Sequence, residues 1–188
     1  FGTDYNLFSE PARLAVDSDI ICVAAAGNDS TAALTYPAAD PNVIGVGALA
    51  SDSFELAYYS NFGENTDVVA PGTVYTTSND GTYKTMNGTS FASPIVAAVL
   101  ALQKAYDENY RSEYYQEYPY IKELLYASSI DLGALGQDFY YGYGALNASS
   151  LILEERKGRK FSKEEYEISW NQIIKIGDDI ILIDTRNK

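Results

Sequence analysis

The 188-residue chain contains no histidine, one cysteine, one methionine and one tryptophan. With no histidine, the usual base for an activated serine or cysteine is absent from these residues. The one cysteine, Cys22, cannot close an internal disulfide, and no C-x-x-C pair exists to hold zinc. Set in the apolar run "DIICVAAAGN", Cys22 reads as a buried, inert thiol. Positive charge is scarce as well: 13 Lys and Arg stand against 26 Asp and Glu, a formal net charge of -13. This balance disfavours nucleic acid and anionic membrane surfaces, which are bound through Lys and Arg. No apolar run is long enough to span a bilayer; the longest, Phe91 to Leu102, has the length of a core helix. The opening residues "FGTDYNLF" have neither the basic start nor the apolar stretch of a signal peptide.

What is present describes an ordinary globular chain, 46% hydrophobic and 21% charged, of a length that suits one domain with a proper core. "EPARLAVD", Glu10 to Asp17, predicts a short helix with proline near its start. "IICVAAA", "NVIGVGAL" and "TDVVAPG" predict three short buried strands, the first of parallel type and ending at the turn residues "GNDS". Asn79-Asp80-Gly81, between two alternating polar segments, is a hairpin signal. From Phe91 to Leu102 nearly every residue is apolar, so this helix should have no solvated face and should sit almost wholly inside the protein. "YPYIKELLYAS" has helical spacing, and "FYYGYGALNASSLI" is a glycine-punctuated loop entering a short helix. Beyond it, "EERKGRK" reads as a charged linker and "QIIKIGDDIILID" as a hairpin. The fold class expected is α/β, a mostly parallel sheet around a buried central helix. Two parts are expected, residues 1–153 and a charged, β-like extension over 154–188.

Two residues carry the chemical question. Ser90, in "NGTSFASP", stands between a glycine turn and the apolar helix. Thr-Ser before such a helix is also ordinary N-capping, and Asn28 in "AGNDS" is ordinary turn chemistry. Taken together they admit a sharper reading. A serine at a helix N-terminus sits beside free N–H groups and the positive end of the dipole. A tetrahedral intermediate needs donors aimed at its oxyanion, and a side-chain amide at a strand end supplies one beside the serine N–H.

"NGTSFASPIVAAVLAL" resembles the serine motif of the subtilisin-like serine peptidases, the subtilases, and "VAAAGNDS" resembles their oxyanion-hole segment. "YPAADPNVIGVGAL", "YSNFG", "DVVAPG" and "YGYGALNASSLI" are similar to the family in the same order, so the likeness runs from Phe1 to about Leu153. It implies the subtilisin-like three-layer fold, incomplete on its N-terminal side, and serine endopeptidase activity through an acyl-enzyme. Ser90 would be the nucleophile and Asn28 the side-chain oxyanion donor, with the Asn28 amide and the Ser90 backbone N–H each about 3 Å from a common oxyanion position. Phe1 and Gly2 resemble the close of the family's substrate-pairing strand. Ala25, Ala26 and Gly27 would line the opposite wall, with a substrate peptide between them as an added strand, and Asn87 belongs to the same cleft. The family's chain order is Asp, His, Ser, so the acid and base are expected upstream of Phe1, in cis or on a separate chain. The expected partners are that missing part and a peptide or protein substrate, with no nucleic acid and no membrane insertion. No cofactor is required; Ala38, Asp40 and Val43 match a loop whose carbonyls hold a cation in the family, and Asp67 would add a carboxylate. A structural calcium or monovalent cation is one expectation there, and a solvated loop is the other. Secretion is the family's commonest setting.

The departures are specific. Ile95 stands where many subtilases have a non-triad histidine, Ala98 replaces a common glycine, and Thr3 replaces a second one at the cleft rim. "GTSFA" also approaches the G-x-S-x-G elbow of α/β-hydrolases, but no histidine follows Ser90, which excludes an intact hydrolase. Sedolisin-type peptidases share a Gly-Thr-Ser motif and use carboxylates, yet usually carry Asp where Asn28 stands. The rival of a different class is a catalytically inactive subtilase-like module that binds or regulates.

Overall fold

The computed structural model describes residues 6–110, 118–153, 173–176 and 180–183. The chain divides into two compact units, Phe1–Glu155 and Arg156–Lys188. The expected linker beginning at Glu154 lies outside the described residues.

In the first unit, helix α1 spans Ser9–Val16. Arg13 is ion-paired to Glu10 and Asp17, one turn away on either side, which ties the helix surface together. Three parallel strands follow: β1 (Cys22–Ala25), β2 (Val43–Leu49) and β3 (Val68–Pro71), in the spatial order β1-β2-β3. Ala25 pairs with Val46, and Val46 with Val68, so the ends of β1 and β3 meet across the centre of β2. Every residue of β2 is buried, as a strand covered on both faces requires. Gly45 in its middle has no room for a side chain, because a Cβ there would lie 2.3 Å from the Asn65 carbonyl oxygen. β1 is only half-buried, since among the described strands it has a neighbour on one side alone. Cys22 shares that environment: burial pushes its thiol pKa up, with a smaller contribution from Asp40.

β4 (Thr73–Thr77) and β5 (Tyr83–Asn87) form the expected antiparallel hairpin, closed over residues 78–82. Helix α2 (Thr89–Tyr110) then packs across β1, β2 and β3. Ala92, Val96, Val99 and Leu100 form its core stripe, recurring at helical spacing against Ile44, Val46, Val68 and Ala70 of the sheet. Helices α3 (Tyr118–Ser128) and α4 (Ala148–Leu153) complete this side with Ile121, Leu125 and Leu151. Across the sheet, Leu49, Val69 and Ala145 form a smaller cluster. The second unit contributes an antiparallel pair, β6 (Ile173–Ile176) and β7 (Ile180–Ile183).

One expectation is corrected here. α2 is not wholly buried: Pro94, Ala98, Ala101 and Leu102 are exposed along one stripe, Leu102 by 54%. A helix that is apolar all round is buried only where neighbours exist on every side. The described sheet and α4 cover one side of α2, and the apolar remainder faces outward.

Candidate active site

Ser90 is the second residue of α2, and it is exposed. Gly88 brings the chain into the helix at φ +154°, a conformation that glycine adopts without steric cost. The Gly88 N–H donates to the Gly72 carbonyl at 2.9 Å, fixing the approach to the serine. Tyr59 holds the same point from the other side, its hydroxyl donating to the Gly72 carbonyl at 3.2 Å. Burial pushes that phenol's pKa up, so it stays a neutral donor.

The first N–H groups of a helix have no intrahelical carbonyl to bond. In α2 the Thr89 N–H is taken by the Asn28 side chain, whose Oδ1 lies 2.9 Å away. The Thr89 hydroxyl donates to the same oxygen at 3.0 Å, and accepts the Gly27 N–H at 3.2 Å. An amide facing an N–H and an O–H must present its oxygen to them. The Asn28 Nδ2 is therefore the end left over, and it has no hydrogen-bond partner among the described residues. The Ser90 hydroxyl likewise makes no hydrogen bond among the described residues. The cap of α2 thus comes from a loop 61 residues earlier in the chain, and not from the serine. Local N-capping gives no account of the Ser90 hydroxyl.

The other residues singled out in the sequence are placed unevenly. Phe1 and Gly2 lie outside the described residues. Ala25 ends β1 and is half-buried, while Asn87 ends β5, is exposed, and pairs with Thr73. Ala26 follows Ala25 at the end of the strand. It is 0% exposed, its N–H donates to the Val46 carbonyl and its carbonyl accepts from Asn61. The Gly27 N–H and carbonyl are engaged too, by Thr89 and by the Asn61 N–H. These bonds fasten the segment leading to Asn28 to the sheet, to Asn61 and to the start of α2. Thr89, 0% exposed and read in the sequence only as half of a capping Thr-Ser pair, is what joins Asn28 to the helix. Its signal was present: a hydroxyl residue next to the serine, at a helix start, where buried donors need partners.

The geometry fits the comparison with known proteins. A model of the subtilase family matches residues 4–144. The chain belongs to the subtilase family. This subtilase is 36% identical to Subtilisin NAT of Bacillus subtilis subsp. natto over 141 residues, 72% of this chain and 34% of that protein. It is 38% identical to the Major intracellular serine protease of Bacillus subtilis (strain 168) over 112 residues, 56% of this chain and 35% of that protein. Among solved structures, a lanthipeptide protease superposes with a TM-score of 0.71 at 25% identity, covering 79% of this chain and 54% of that one. The prenylagaramide maturation protease PagA gives 0.67 at 27% identity, covering 81% and 58%. This subtilase therefore spans about a third of the length of the curated relatives named here.

The loop expected to hold a cation has a different balance of charge. Both oxygens of Asp40 are engaged, Oδ1 by Asn42 and Oδ2 by Asn6 at 2.7 Å. Burial would raise that carboxyl's pKa, but the hydrogen bonds from Asn6, Asn42 and Ser9 outweigh it and hold it below the usual range. Asp67 accepts the Gly45 N–H at 2.9 Å on Oδ2 and the Tyr126 hydroxyl at 2.7 Å on Oδ1. The Asp40 carbonyl accepts the Val43 N–H, and the Ala38 carbonyl oxygen lies beside the Cα of Gly45. Lys122, from α3, then brings an ammonium 3.9 Å from Asp67 Oδ2 and donates to the Pro41 carbonyl at 3.1 Å. As arranged, a cation ligated by Asp40 or Asp67 would displace bonded N–H and O–H donors, and at Asp67 it would sit against the like charge of Lys122. Among the described residues no cluster of three or more His, Cys, Asp or Glu is placed for a metal. Lys122→Met should lower the melting temperature by a few degrees, about 1 kcal/mol for a charged hydrogen bond near the surface. Chelator should leave the wild-type melting curve unmoved; a chelator-induced fall would restore the cation to this loop.

Proposed function

We propose that this subtilase is the nucleophile-bearing part of a serine endopeptidase that cleaves peptide bonds through an acyl-enzyme. The observation that carries the reading is the Asn28 amide: its oxygen is committed to Thr89, the residue next to the exposed Ser90, while its Nδ2 has no hydrogen-bond partner among the described residues. Ser90 Oγ would attack the substrate carbonyl carbon, with Asn28 Nδ2 and the Ser90 N–H receiving the charge that forms on oxygen. The C–N bond then breaks, an ester forms on Ser90, and water later releases the acid. The proton leaving Oγ must go to a base and then to the departing amine. No histidine is present to take it, so the base and its acid partner are supplied by residues outside this chain, in cis or as a separate chain.

Alone, this chain should hydrolyse peptides no better than marginally, because an unassisted serine is a neutral alcohol at pH 7. The exposed apolar stripe on α2 is a surface suited to the missing part, since Pro94, Ala98, Ala101 and Leu102 offer no polar group to water. Relatives named as extracellular and as intracellular proteases both occur, and the proposed setting is extracellular. No helix among the described residues is long and apolar enough to cross a membrane.

Supplying the upstream segment, in cis or in trans, should produce peptidase activity. In that protein Asn28→Ala should lower kcat by about 10²–10³ with little change in KM, the magnitude known from removal of the oxyanion asparagine in subtilisin itself. A restored, folded protein that cleaves no peptide would leave the inactive binding or regulatory module as the better reading.

A further inference from the structure

Asn28 can serve an oxyanion only if its loop is held still, and beside the backbone bonds of Ser30 to Tyr59 and of Phe62 to Thr31, one buried side chain grips the loop on both sides of Asn28. Asn61 lies between β2 and β3 and is 0% exposed. Its Oδ1 accepts the N–H of Asp29 at 2.8 Å and that of Thr31 at 3.3 Å. Its Nδ2 donates to the Ala26 carbonyl at 3.0 Å and to the Thr35 hydroxyl at 3.4 Å. Its own backbone N–H donates to the Gly27 carbonyl at 2.9 Å. A carboxamide has two acceptor positions and two N–H donors, and here all four are used.

The arrangement is a bracket. Residues before Asn28 and residues after it are fastened to Asn61, and Asn28 itself is not. The apex of the loop is thereby left free to reach Thr89. Gly27 is part of the same fit: it has φ +109°, and a Cβ there would lie 2.3 Å from Asn61 Nδ2. No other residue lets the loop approach Asn61 this closely.

We propose that Asn61 is a positioning residue for the oxyanion site, acting through Asn28 and touching no substrate; the proposal rests on the peptidase reading above. Bonds on both sides of an apex fix its direction, whereas a loop released on one side can turn its amide toward local partners within "GNDS". A displacement of about 1 Å in a catalytic group can cost about 10² in rate. Loss of the bracket should therefore appear in turnover and not in substrate affinity.

The test is a double-mutant cycle in the active protein, the chain together with its upstream part. Asn61→Ala should lower kcat, and the rate of fluorophosphonate labelling, by about tenfold or more, with KM changed less than about twofold. In an Asn28→Ala background the same change should cost little, because the group it positions is gone. Asn61→Ser, whose hydroxyl retains one acceptor for the Asp29 N–H, should fall between the two, and it serves if the alanine variant does not fold. Equal losses in both backgrounds would overturn the proposal, as would failure of both variants to fold, which assigns Asn61 to the fold alone. A wild type that neither labels nor cleaves removes the peptidase reading, and the role of Asn61 with it.

Discussion

Ser90→Ala is expected to abolish peptidase activity, by about 10⁶ in kcat where the acid and base are present; subtilisin is itself the reference case for that magnitude. The size follows from what the residue does. Removing the hydroxyl removes the atom that bonds to the substrate, and the oxyanion donors alone retain only a residual advantage of about 10³–10⁴ over water. Folding should be unaffected. The Ser90 side chain is exposed and hydrogen-bonded to nothing among the described residues, and the cap of α2 belongs to Asn28. Had Ser90 been the cap, alanine there would cost about 1 kcal/mol of stability instead. Paired melting curves and peptide hydrolysis separate the two roles: lost activity with an unchanged melt is the expected pattern.

Val96→Asp is expected to prevent folding. Val96 is 0% exposed and belongs to the apolar cluster of Ile44, Val46, Leu100 and Leu125. Burying an unpaired charge costs several kcal/mol, against a typical total stability of 5–15 kcal/mol for a domain. Leu102→Asp, on the exposed stripe of the same helix, should cost about 1 kcal/mol or less in this chain. Circular dichroism with urea titration reads both. A folded Val96→Asp protein of near-normal stability would mean that α2 does not pack as described.

Much of the fold was legible because its signals are local. β2 is a short apolar run with glycines where the backbone is crowded, and it is buried along its whole length. Asp80-Gly81 turned a hairpin where an Asp-Gly pair should. The extent of burial of α2 was not legible, because apolar periodicity states what a surface prefers and not what lies against it. Ser90 and Asn28 stood out as residue types, while the contact between them depends on Thr89, whose partners are 61 and 62 residues away. Separation in the chain likewise hid Asn61, one asparagine in a turn-rich segment until five hydrogen bonds to residues 26–35 converge on it. Lys122 was hidden further still: its ammonium reaches the Pro41 carbonyl across 81 residues, and nothing in "YIKELL" announces a counter-charge for Asp67.

That Ser90 is an activated nucleophile is tested most directly by mapping a fluorophosphonate adduct by mass spectrometry. The reagent phosphonylates serines whose hydroxyl is activated by a base and whose oxyanion is stabilised. In the protein completed by its upstream part, the adduct is expected on the peptide containing Ser90, and this chain alone should remain unmodified. A folded, completed protein with no adduct, or with the adduct on another serine, would contradict the assignment of Ser90 as nucleophile.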